Sequence, residues 1–104
     1  MSRIEQLKSF LELDPSDSFT RFALALEYLK SNNTHLAEEL FVHIIRQEPE
    51  YVGVYYHLGK LYEQQNKFDV ACSTYLKGID IATAASEIHA ANELREALLA
   101  ISDD

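Results

Sequence analysis

Three glycines, two prolines and one cysteine are spread over 104 residues. So few Gly and Pro suit long helices joined by short connections. The one cysteine, Cys72, has no internal disulfide partner. A reducing, cytoplasmic setting is the simplest fit, and a mature exported domain fits as well. No apolar run approaches the roughly 18 residues that a bilayer crossing requires. Met1-Ser2-Arg3-Ile4-Glu5 lacks the apolar core of a secretory signal. Positive charge is scarce too, with 9 basic residues against 17 acidic ones and a net charge of -8. The bases are scattered, which argues against a nucleic-acid backbone or an anionic membrane as partner. The acidity serves solubility and leaves room for a mildly basic protein partner.

Chemistry-bearing patterns are also missing. The chain has no Gly-rich phosphate loop, no G-x-S-x-G elbow and no zinc-spaced cysteine pair. His35, His43, His57 and His89 have no i, i+4 partner among His, Cys or Asp on a convincing apolar face. His35 and Glu39 share that spacing, but Glu39 reads as a solvated helix residue. Cys72 follows Ala71 on an inward helix side and reads as a small buried hydrophobe. The Glu38-Glu39 and Asp103-Asp104 pairs read as exposed charges. No metal, cofactor or catalytic residue is expected, and the chain does not read as an enzyme.

Apolar residues make up 47% of the chain, enough for one folded domain with a modest core. They are ordered by a repeat. Leu24-Ala25 and Tyr28 recur as Leu58-Gly59 and Tyr62. Ala37 recurs as Ala71, Phe41 as Tyr75, and Asp14-Pro15 as Glu48-Pro49, always 34 positions on. A fixed offset of this length marks a stacked array of helical hairpins, which presents a surface rather than a reactive centre.

The apolar spacing predicts six helices and no strand. Residues 3–13 place Ile4, Leu7, Phe10 and Leu11 on one face, and Asp14-Pro15 ends the pattern. Ser16, Asp17 and Ser18 offer cap oxygens to a helix that runs to about Ser31. After Ser31-Asn32-Asn33-Thr34, with Thr34 as cap, residues 35–47 turn Leu36, Ala37, Leu40, Phe41, Ile44 and Ile45 inward. Residues 51–65 and 68–82 repeat the hairpin around a Gln65-Asn66-Lys67 turn. The second helix of that pair carries Phe68, Ala71, Cys72, Tyr75, Leu76 and Ile79. Ser86 offers a cap for a last helix over 87–101, although residues 68–101 also read as one longer helix.

This chain resembles the tetratricopeptide repeat family. With units at 18–51 and 52–85, unit position 4 prefers an aromatic and finds Tyr55. Position 7 finds Leu24 and Leu58, and position 8 finds Ala25 and Gly59. Position 11 finds Tyr28 and Tyr62, position 20 finds Ala37 and Ala71, position 24 finds Phe41 and Tyr75, and position 32 finds Pro49. Small residues at 8 and 20 let two helices approach, and larger ones fill the space around them. Arg21 departs from the pattern at position 4, Ile44 and Gly78 replace Ala at 27, and Thr83 replaces Pro. The first two departures are expected to loosen packing, and the last leaves the exit from the second unit open.

The resemblance implies an all-α superhelix of antiparallel hairpins, a tetratricopeptide-like solenoid. It would comprise a half-repeat at 3–15, repeats at 18–51 and 52–85, and a capping helix at 86–101. It also implies a concave groove that binds a peptide or protein segment. The residues expected there are Phe19, Phe22 and Leu26 on one helix, then Tyr56, His57 and Lys60 on another. Phe22 and Leu26 stand where one subgroup carries a basic clamp for acidic chaperone tails, so that clamp is absent. A different reading is self-association. The half-repeat lacks its partner helix, and uncovered apolar surface of that kind invites a homodimer.

Overall fold

Ser2 opens the first helix with a reciprocal cap. Its Oγ accepts from the Glu5 N–H at 3.1 Å, and its own N–H donates to Glu5 Oε1 at 3.0 Å. The computed structural model describes residues 1–102. Asp103 and Asp104, expected as exposed charges, lie outside those residues. Among the described residues there are six α-helices and no strand, as the sequence predicts. They are α1 (Arg3–Leu13), α2 (Ser18–Lys30), α3 (Thr34–Gln47), α4 (Gly53–Gln64), α5 (Phe68–Ala84) and α6 (Ile88–Ile101). The chain divides into two compact units, Met1–Pro49 and Glu50–Asp104.

In the first unit α1 and α3 each pack on α2. Asp17 caps α2, accepting from the Phe19 N–H at 3.1 Å and from the Thr20 hydroxyl at 2.6 Å. Ala25, Ala37, Phe41 and Ile44 expose no surface. Each of the larger two gains about 1.5–3 kcal/mol from that burial. Arg21, expected to loosen the packing, is buried. It is 8% exposed, and its Nη2 donates to the Pro15 carbonyl at 2.7 Å, tying α2 to the turn that follows α1. Ile44, the other departure in this unit, is fully buried.

In the second unit α4 packs on α5, and α6 packs on both. A Cβ at Gly78 would lie 2.6 Å from the Tyr55 Cβ and 3.0 Å from Leu94 Cδ1. The missing side chain at position 27 therefore tightens the contact, because α5 can press against the large ring at position 4. Leu94, Ala91 and Ala97 form the buried face of α6.

Three turns share one backbone form. Asn32, Asn66 and Ser86 all have positive φ, at 62°, 61° and 60°. In each case the next residue donates back five positions: Asn33 N to Tyr28 O at 2.8 Å, Lys67 N to Tyr62 O at 2.9 Å, and Glu87 N to Ala82 O at 2.8 Å. This closure satisfies orphan carbonyls at the helix end. It also corrects two expected caps. Thr34 and Ser86 cap nothing. Asn33 and Glu87 hold the N-cap positions, with no side-chain bond. The left-handed residue comes first, so the next helix starts one step after it.

Residues 68–101 form two helices. α3 stops at Gln47, two residues before Pro49. The counterpart of that proline is Thr83, which can stay helical, so α5 runs past it to Ala84.

Candidate functional site

Two helix faces carry the residues expected to bind. On α2, Phe19, Phe22 and Leu26 follow helical spacing and share one side. Phe19 is 71% exposed in the first turn, while Phe22 and Leu26 are half-buried. The Phe22 ring is held by Phe41 of α3, with centroids 6.0 Å apart and planes tilted by 51°. An anchored ring thus sits beside an exposed one.

On α4, Tyr56, His57 and Lys60 are all half-buried. Lys60 Nζ stands 5.5 Å from the Tyr56 ring centroid, within reach of a cation–π contact. The Tyr56 and His57 rings meet edge to face at 5.6 Å. Lys60 Nζ also lies 3.7 Å from Glu63 Oε2, and Glu63 accepts a hydrogen bond from the Tyr75 hydroxyl. A ligand carboxylate would therefore compete with Glu63 for Lys60. Burial holds the His57 imidazole below its usual pKa, an effect that the charge of Glu93 partly offsets. Burial first, then its bond to Glu63, pushes the Tyr75 phenol well up.

Lys60 is marked by its place in the repeat, but its tie to Glu63 and Tyr75 is not. The i, i+3 spacing of Lys60 and Glu63 was a readable signal. The tie to Tyr75 depends on how α5 lies on α4, which no local pattern encodes. Cys72, expected to be buried, is a half-buried free thiol. His35 Nε2 lies 3.3 Å from Glu39 Oε2 on the exposed side of α3. Among the described residues no three His, Cys, Asp or Glu side chains gather as a metal site would need. No helix there is long and apolar enough to cross a membrane.

A cleft of about 750 Å³ opens on the opposite side of α2, between α1 and α3. Leu24 and Tyr28 form its floor, Leu11 one wall, and Leu36 and Leu40 the other. Leu36, expected to face inward, is 39% exposed there, while α1 packs chiefly on α2. Phe68 and Leu76, read among the apolar residues of α5, are exposed there.

The profile of the tetratricopeptide repeat family matches residues 52–84. A tetratricopeptide repeat domain protein from Salinibacter ruber, known from a solution NMR structure, is 45% identical. That match covers 86% of this chain and 90% of the other, with a TM-score of 0.81. The chain belongs to the tetratricopeptide repeat family. A crystal structure of a tetratricopeptide repeat domain protein from the same organism is also 45% identical, covering 82% of this chain and 94% of the other at a TM-score of 0.79. The crystal structure of MamA shares the fold at 22% identity and a TM-score of 0.69, covering 94% of this chain and 64% of that one. No curated protein matches the chain. Tetratricopeptide repeat domains are generally protein-interaction scaffolds and are typically non-catalytic.

Proposed function

We propose that this tetratricopeptide repeat chain is a non-catalytic scaffold that binds a peptide or protein segment. The residues that would engage it are Phe19, Phe22 and Leu26 on α2 of the first unit, or Tyr56, His57 and Lys60 on α4 of the second, each face taken by itself. The observation that carries this reading is Phe19, a large ring left 71% exposed beside a ring anchored on Phe41. An exposed aromatic over a firm base is what a partner's apolar side chain packs on at low entropic cost. On α4 the Tyr56 ring and the Lys60 ammonium offer an apolar surface next to a polar contact. A Tyr56→Ala or Phe22→Ala variant that remains folded loses partner capture in a pull-down. Capture at the wild-type level in both rejects these faces.

A homodimer is a second reading, favoured by one observation. Phe10 and Leu13 of α1 are 54% and 85% exposed. The helix also carries two bases, Arg3 and Lys8, against two acids, Glu5 and Glu12, so like-charge repulsion there is weak. Sedimentation at micromolar concentration tests it: a dimer that Leu13→Asp dissolves supports it, and a monomer throughout rejects it.

A further inference from the structure

We propose that the cleft between α1 and α3 is a second docking site, taking a segment with an apolar anchor flanked by Lys or Arg. It is separate from the α2 face described above. Residues 24 and 28 lie about 200° around the helix from residues 22 and 26, so the two surfaces look out from opposite sides of α2. The cleft's volume, about 750 Å³, falls inside the range of about 300–1,000 Å³ typical of ligand sites. Its floor is firm, since Leu24 and Tyr28 are buried, and its walls present leucine to solvent.

The rim decides the chemistry of the occupant. Glu12 stands on the α1 side and Glu39 on the α3 side, with Lys8 one turn before Glu12 on α1. Glu12 has no ion-pair partner among the described residues, and Glu39 pairs only with His35, which is charged only when protonated. The rim is therefore net acidic at neutral pH, in a chain of net charge -8. A second copy would bring a chain of net charge -8 toward that rim, whereas a Lys- or Arg-flanked segment would be steered to it and held. The apolar walls supply the affinity, and the two carboxylates select the flanks.

The test uses the isotope-labelled full chain and a synthetic amphipathic peptide of Leu and Lys at helical spacing, followed by NMR. Amide signals around Leu11, Leu24 and Leu36 shift on titration, and a matched Leu and Glu peptide shifts none of them. Leu36→Glu separates the cleft from bulk charge attraction. It adds negative charge, which would strengthen diffuse binding of a cation, yet it blocks an apolar wall, so affinity falls about tenfold. Glu12→Gln with Glu39→Gln weakens binding several-fold and flattens its salt dependence. Shifts centred elsewhere overturn the proposal, as does affinity unchanged or raised in Leu36→Glu. A self-associated state that Leu36→Glu disperses would mean that a second copy fills the cleft, and would overturn it as well.

Discussion

The Tyr75 ring lies across the backbone of Gly59, in the space a Cβ would take. The sequence pattern pairs small residues at unit positions 8 and 20, but the three atoms that a Cβ at Gly59 would meet first all belong to the ring at position 24. The first unit meets the same demand with Ala25 and Phe41, both without exposed surface. From its place over Gly59 the Tyr75 hydroxyl reaches Glu63, one turn further along α4. A packing requirement and a polar tie thus arise from one side chain.

Gly59→Ala destabilises the fold by about 1–3 kcal/mol through overpacking. This runs against helix propensity, which favours Ala by about 1 kcal/mol. Gly78→Ala loses stability for the same reason, because its Cβ would lie 2.6 Å from the Tyr55 Cβ. Urea unfolding midpoints check both, and a gain in either variant contradicts the packing described.

Ser86→Gly stabilises the chain by roughly 1 kcal/mol, the usual cost of a left-handed L-residue. Ser86 has φ 60° without the local side-chain bonding that suits Asn to this region. Asn32→Gly and Asn66→Gly gain less. Thermal unfolding of the three variants side by side measures the order.

The helices were legible in the sequence because apolar spacing and turn residues agree along most of the chain. Asn32 and Asn66 announce their turns by residue type. Ser86 does not, and the break after α5 became clear only through its backbone conformation. Of the candidate site, the shared face of Phe19, Phe22 and Leu26 was readable as a helical stripe. The degree to which each is covered was not, since that depends on where α3 places Phe41. Leu36 reads as inward for the same reason that it is exposed: spacing gives a face, and the neighbour that covers it must be found in space.

Arg21→Met keeps or raises stability, by up to about 2 kcal/mol, because a buried guanidinium is costly to desolvate. Its Nη1 is buried with no hydrogen-bond partner among the described residues. Arg21→Ala lowers stability by removing the stem's packing as well. Chemical denaturation separates the two outcomes, and a large loss in the Met variant contradicts this account.

Lowering the pH destabilises the fold through His57. Its folded pKa lies below the unfolded value of about 6.5. Below that value the unfolded chain binds the proton more readily. Stability contributed by the neutral imidazole is therefore full above about 6.5 and lost as pH falls toward the folded pKa. His57→Gln shows a shallower fall over that window than the wild type. Parallel slopes in the two proteins contradict the assignment.

The claim that the outward face of α2 receives a partner is tested most directly by the affinity of the captured segment for Phe19→Asp. The side chain is mostly exposed, so the unfolding midpoint stays near that of the wild type. Binding is predicted to weaken about tenfold or more. Wild-type affinity in a folded Phe19→Asp protein would contradict it.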